Sequence, residues 1–113
     1  MDRYQYEDAV NQLIYTINDK LILKLKNKFE SYMDQAKQKK IELERSKNSD
    51  IFRLREELNE TYQNIRKIRA FIDEAKKIRD DLVNNVKHKQ EPLNLAEYVK
   101  QINLMKNEIA MFK

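Results

Sequence analysis

Residues 51–86 read IFRLREELNETYQNIRKIRAFIDEAKKIRDDLVNNV and carry the pattern that decides the fold. Alternating steps of three and four residues give the seam positions Ile51, Leu54, Leu58, Thr61, Ile65, Ile68, Ile72, Ala75, Arg79, Leu82 and Val86. Nine of these eleven positions are apolar. A repeat near 3.5 residues that lasts for about five heptads is typical of a helix that packs side by side against another helix. We therefore predict one long helix whose apolar edge is covered by a second helix.

The composition favours helices over strands. The chain has 113 residues, with no glycine, no cysteine and one proline. Without glycine, tight hairpin turns, phosphate-binding loops and left-handed helix caps are disfavoured. Without cysteine, neither disulfides nor thiolate metal sites can form, so folding depends on apolar packing. We predict a single all-α domain over residues 1–113, and we expect a cytoplasmic or otherwise intracellular protein.

The charge is mixed along the whole chain. Charged residues make up 37% of the sequence and the mean hydropathy is −0.90, but the apolar residues are periodic, as in long helices and unlike disordered chains. The formal net charge of +4 is a mild excess over a mixed surface and gives little indication of a polyanionic partner. Neither a membrane span nor a secretory signal is predicted, so we expect no membrane association.

Three helices are predicted. Their approximate bounds are residues 3–46, 50–89 and 94–112. Asp2 and Gln5 have the spacing of a capping pair at the start of the first helix. The apolar stripe of that helix contains an extra four-residue step between Leu21 and Leu25, a stutter that locally unwinds a supercoil without ending the helix.

Two breaks separate these helices. Residues 45–50 are polar at the seam positions and favour caps and turns, with Ser49 or Asp50 placed to cap the second helix. Because neither glycine nor proline forces a turn there, one continuous helix to about residue 88 is the alternative. Pro92 lacks a backbone N–H, and Asn94 can cap the third helix.

The helix lengths predict an elongated antiparallel hairpin, coiled-coil-like, with a short third helix packed at its base to make a three-helix bundle. At 1.5 Å per residue the helices would span about 63, 57 and 27 Å, so the third leaves a two-helix stalk beyond the base. Such a stalk gains little net stability, and we expect a protein partner or a second copy to cover part of its seam. The outline resembles small helical chaperone or adaptor subunits such as tubulin-binding cofactor A and flagellar export chaperones, a resemblance of shape alone.

No residues are predicted to carry catalysis. The single histidine, His88, has no cysteine or second histidine to complete a metal site. The carboxylate pairs Glu56–Glu57 and Asp80–Asp81 are adjacent on a helix, and adjacent helical side chains do not converge on one point. We therefore expect a non-enzyme with no catalytic residues, no cofactor and no metal.

Polar residues interrupt the seam at two positions. Thr61 and Arg79 can fix the register or the choice of partner, as polar core residues do in coiled coils. In the alternative interpretation, Thr61 tolerates a loosely packed stalk, and Arg79 reaches outward while Ile78 takes its place.

Apolar and aromatic residues along the hairpin are the predicted contacts with a protein partner, since tyrosines and large apolar side chains are frequent at interfaces. They are Tyr15, Leu23, Phe29, Met33, Leu54, Leu58, Tyr62 and Ile65. The function that follows is a non-enzymatic helical adaptor, chaperone or assembly subunit.

Basic stripes support an alternative, a small nucleic-acid-associated or regulatory protein, because phosphate binding needs clustered cations. The candidate contacts are Lys20, Lys24, Lys28, Lys37, Lys39, Lys40, Arg66 and Arg69. Acidic residues interleave with them, which favours solvated faces. A self-assembling coiled-coil element, in which the second helix pairs with its own copy, is a third possibility.

Overall fold

The chain folds into three helical rods in a computed structural model that describes residues 2–47 and 50–112. The elements are α1 (Arg3–Thr16), a π-helical segment (Ile17–Ile22), α2 (Leu23–Arg45), α3 (Ile51–Lys87) and α4 (Leu95–Ala110). Backbone angles stay helical through both junctions of the π segment, so α1, the π segment and α2 form one continuous rod, called here the first rod. This confirms the predicted all-α hairpin with a third helix. The molecule measures 67 × 20 × 16 Å.

The hairpin turns after Arg45. Ser46 adopts extended backbone angles, which ends α2, and α2 then packs along α3. Of the two predicted possibilities, the break is therefore confirmed and the continuous helix is wrong. Asp50 occupies the N-cap position of α3, as predicted, but its side chain makes no capping hydrogen bond. The alternative cap, Ser49, lies outside the described residues.

The predicted seam of α3 is the buried face of that helix. Its buried members are Leu54, Leu58, Thr61, Ile65, Ile68, Ile72, Ala75 and Leu82. The two ends, Ile51 and Val86, are half-buried. The heptad pattern therefore predicted correctly which side of α3 packs against the first rod.

Each polar seam position has a specific packing arrangement. Ile78 takes the buried place beside Arg79, whose Nη1 reaches sideways to donate to Asn18 Oδ1 at 3.1 Å, much as in the outward-reaching interpretation. The buried Thr61 donates to the Glu57 carbonyl at 2.9 Å and accepts from Lys39 Nζ at 3.1 Å. Its hydroxyl is thus satisfied within the hairpin.

The stutter in the first rod coincides with the π segment. Ile17, Leu21 and Leu25 are separated by four residues, and in an α-helix of 3.6 residues per turn such positions drift away from a common face. The i→i+5 hydrogen bonds of a π-helix, such as Leu23 N–H to the Asn18 carbonyl, place more residues in each turn. The three side chains therefore stay on one face, and all are fully buried.

The third rod, α4, packs at the base of the hairpin, antiparallel to α3. Near its start, Tyr98 lies beside Asp81. At its end, the ring of Phe112 meets Phe71 and Tyr32 edge-on, with centroid distances of 6.0 and 6.4 Å. Because Tyr32 lies beyond the midpoint of the first rod, the three-helix base extends past the middle of the hairpin.

Candidate interaction surfaces

Three of the predicted partner contacts lie inside the hairpin. Leu54, Leu58 and Ile65 are only 3%, 8% and 7% exposed, because the first rod covers the seam of α3 along the stalk. The expectation that part of this seam stays open is therefore wrong. These side chains hold the two rods together and offer no surface to another protein.

Two further predicted contacts lie at the edge of the core. Phe29 and Tyr62 are half-buried and pack against the buried cluster. The guanidinium carbon of Arg69 lies 5.7 Å from the centroid of the Phe29 ring, within the range of a cation–π contact. Phe29 is thus already covered in part by a cation from α3.

The remaining three predicted contacts are exposed on the first rod. Tyr15, Leu23 and Met33 are 63%, 53% and 45% exposed, and we call them the outer apolar set. Tyr15, Asp19 and Leu23 follow one another in four-residue steps across the π segment, which places them along one side of the rod. The hydrogen bond from Tyr15 to the Asp19 carboxylate, with the negative charge of that group, raises the pKa of Tyr15.

Other large apolar side chains are exposed that were not among the predicted partner contacts. They are Tyr4, Phe52, Val83, Val99, Leu104 and Met111. Phe52 stands beside the half-buried Ile51 close to the hairpin turn, and Leu104 and Met111 lie on the outer side and at the end of α4. Their signal in the sequence is that each is a large apolar residue outside the apolar stripe of its helix.

Four lysines line one groove between the first rod and α4. The groove encloses about 310 Å³ and is lined by Lys20, Lys24, Lys28, Lys106, Ile109 and Ala110, which together we call the lysine groove. Three of the lysines belong to the predicted basic stripe, and Lys106 comes from a separate part of the sequence. Lys28 Nζ also donates to the Phe112 carbonyl at 3.0 Å, near the end of α4.

The other predicted nucleic-acid contacts are spread along the stalk and α3. Lys39 donates a hydrogen bond to Thr61, and the Arg69 guanidinium lies over the Phe29 ring, so both cations have partners within the hairpin. Lys37, Lys40 and Arg66 are exposed and line no part of the lysine groove. The eight predicted cations therefore do not share one binding site.

A buried polar network ties the base of the hairpin to the segment before α4. The Tyr6 hydroxyl donates to Asn85 Oδ1 and accepts from Leu93 N–H at 3.0 Å, while Asn85 Nδ2 donates to the Glu91 carbonyl at 3.0 Å. We call these four residues the base network. Extending the stripe of the first rod back from Val10 by one four-residue step would have found Tyr6.

Arg3 lies beside this network. Its Nη1 donates to the Gln90 carbonyl at 2.7 Å, its Nε pairs with Glu7 at 3.1 Å, and its guanidinium carbon lies 5.2 Å from the centroid of the Tyr6 ring. A cleft of about 410 Å³ opens here, between the start of the first rod and residues 92–95. Arg3 thus ties α1 to the connection between α3 and α4.

Other chemistry in the described ranges is sparse. His88 is exposed just after α3, and its backbone N–H closes that helix on the Asn84 carbonyl at 3.0 Å. Within residues 2–47 and 50–112, no three His, Cys, Asp or Glu side chains come together as a metal site would need. In the same residues, no helix combines the length and apolar character needed to cross a membrane.

Comparisons with protein-family models, curated proteins and solved structures gave no match.

Proposed function

We propose that the chain is a non-enzymatic helical adaptor, chaperone or assembly subunit that acts through helix–helix contacts with a protein partner. The observation that carries this proposal is the outer apolar set, Tyr15, Leu23 and Met33, which is exposed on a hairpin whose own seam is closed. The fold does not use these side chains in its core. An exposed tyrosine together with exposed leucine and methionine side chains on one helical rod has the composition of a protein interface.

The mechanism follows from the shape of the molecule. A long rod presents side chains at fixed spacing, and a partner's amphipathic helix can lie along it with its own apolar face inward. Charged residues between the apolar ones, such as Asp19 and Lys26, would then set the orientation of that helix. In this proposal the hairpin is a rigid support, and binding takes place on its outside.

Capture experiments with matched variants test the proposal. Tagged wild-type chain is compared in a lysate of the source cells with Leu23→Glu/Met33→Glu and with the control Gln38→Glu/Gln63→Glu, which adds the same two charges at exposed polar positions. We expect the wild type and the control to capture the same partner and the outer variant to lose it, while all three keep equal helicity and melting temperature. Equal capture by all three proteins, or no captured partner, contradicts the proposal.

Self-assembly needs a separate measurement. Light scattering over a range of concentrations reports whether the chain pairs with itself. Asp substitution of Leu58 or Ile65 would unfold the closed seam, so the informative variant is Phe52→Glu at the exposed end of α3. A dimer that this variant converts to a monomer, without loss of helicity, would replace the adaptor proposal with a self-assembling element.

A further inference from the structure

We infer that the lysine groove binds an acidic helix of the protein partner, one whose carboxylates recur every four residues along one face. This inference rests on the proposed function and names the chemistry of the partner. It uses a surface distinct from the outer apolar set, so each of the two can be tested alone.

The spacing of the cations matches such a helix. Lys24 and Lys28 are four residues apart on α2, so their backbones lie about 6 Å apart along its axis. Lys20 lies one four-residue step before them, in the π segment, and completes the ladder. Glutamates at the same spacing on a partner helix repeat at the same distance. Lys106 faces the ladder from α4, so cations border the groove on both sides.

The charges of the groove are not neutralised inside the molecule. No carboxylate lines the groove, and none of the ion pairs found among the described residues includes these four lysines. Lys28 is oriented by its bond to the Phe112 carbonyl, a partner that carries no net charge. Four cations around one concave surface therefore repel one another and attract an anion.

The apolar lining of the groove favours a peptide over a nucleic acid. Ile109 and Ala110 contribute this lining, which a small apolar side chain of a helix can contact. Single-stranded nucleic acids are bound by basic grooves that also offer aromatic rings for base stacking, and no aromatic side chain lines this groove. The apolar lining and the lysines on both sides of the groove together match an amphipathic helix with an acidic face.

Two synthetic peptides of about 20 residues, long enough to form a helix in isolation, probe the groove. Both contain the same alanines, leucines and glutamates. In the first, the glutamates recur every four residues on one face; in the second, they are spread around all faces. We expect the first peptide to bind more tightly at low salt, by fluorescence anisotropy, and to shift the amide resonances of residues 20–28 and 103–110.

Charge-matched variants locate the binding. Lys20→Gln/Lys24→Gln/Lys106→Gln removes three groove charges and leaves Lys28, which has a structural contact. The control variant Lys37→Gln/Lys40→Gln/Lys100→Gln removes the same number of charges at exposed positions outside the groove. We expect the groove variant to bind the first peptide about tenfold more weakly and the control to lose less than about twofold, since isolated surface charge pairs contribute little each.

Several results would overturn the inference. They are an equal loss of affinity in both variants, equal affinity for both peptides, or no binding of either peptide at low salt. A single-stranded RNA oligonucleotide of equal charge that binds more tightly and displaces the peptide would reassign the groove to nucleic acid. The peptide experiments can contradict the groove inference while the Leu23→Glu/Met33→Glu variant still fails to capture the partner that the wild type captures. In that case only this inference is wrong and the proposed function stands.

Discussion

Asn85 in the base network offers the sharpest test of how the hairpin base is held together. It is 2% exposed, accepts from the Tyr6 hydroxyl and donates to the Glu91 carbonyl. Asn85→Leu keeps a side chain of similar size but removes the acceptor for a buried hydroxyl. A buried polar group that loses its partner costs about 1–3 kcal/mol, so we expect the free energy of unfolding to fall by that amount.

A double-mutant cycle separates the hydrogen bond from the change in packing. Tyr6→Phe leaves Asn85 Oδ1 and the Leu93 N–H without partners, and should also cost about 1–3 kcal/mol. Tyr6→Phe/Asn85→Leu removes both side-chain partners together, so the double variant leaves fewer buried groups unsatisfied than the two single variants combined. The double variant should therefore lose about 1 kcal/mol less unfolding free energy than the sum of the losses in the two single variants.

Urea unfolding followed by circular dichroism at 222 nm measures these free energies, on the assumption of a single transition at one protein concentration. The neighbouring exposed residue provides the control, since Asn84→Leu should change stability by less than about 0.5 kcal/mol. The reasoning is refuted if Asn85→Leu is as stable as the wild type. It is also refuted if the losses add to within about 0.5 kcal/mol, the range expected of independent sites.

Three further predictions concern other parts of the hairpin. Phe112→Ala removes two edge-to-face contacts from a half-buried ring and should lower the free energy of unfolding by about 2 kcal/mol. Amide hydrogen exchange in this variant should be faster in α4 than in the stalk, and equal exchange rates in the two regions would contradict the prediction. Thr61→Val should change the free energy of unfolding in urea by less than about 1 kcal/mol, because the Lys39 ammonium that loses its partner is half-exposed and can bind water. A loss above about 2 kcal/mol would contradict this and show that the Thr61 hydroxyl holds the two rods together. Burial, followed by the charge of Asp81, raises the pKa of Tyr98, so the unfolded chain releases this proton first and stability is lost as pH rises through about 10. Tyr98→Phe should therefore lose stability less steeply than the wild type between about pH 9 and 11, and parallel profiles would refute this assignment.

Local periodicity was enough to predict the fold. The spacing of three and four residues defines one face of a helix whatever its partner is, and so Leu54, Ile68 and Leu82 could be assigned to the buried side of α3. The stutter near Leu21 marked the place where the first rod changes its pitch. It did not reveal the form of that change, because a supercoil and a π segment can both accommodate extra four-residue steps.

Long-range register was beyond the sequence. Asn85 lies three residues after Leu82, and Val86 lies four residues after it. Either residue therefore continues the pattern of three- and four-residue steps. Which of them faces inward depends on what the opposite rod presents, and here Tyr6 offers a hydroxyl from 79 positions away. The apolar pattern could not show that a polar pair occupies this part of the seam.

The candidate surfaces were only partly predictable for a related reason. Exposure depends on how closely two rods approach, and a period near 3.5 does not report that distance. Leu58 and Ile65 were expected at an open seam and are covered, whereas Tyr15 and Leu23 lie outside the buried stripe and are exposed. Position relative to the stripe was thus a better guide to accessible residues than position along the stalk.

The lysine groove shows how the base of the hairpin and a binding surface depend on one another. Lys106, Ile109 and Ala110 belong to α4, so the groove exists only while α4 is docked. The docking contacts at the end of α4 include the Lys28 bond to the Phe112 carbonyl, and the same lysine is a member of the groove. Any ligand that binds the assembled groove and not the separated helices must stabilise the docked state by mass action. The proposed acidic helix would therefore raise the melting temperature together with occupancy, whereas a polyanion attracted only to the Lys20–Lys28 ladder of the first rod would leave the docking of α4 unchanged.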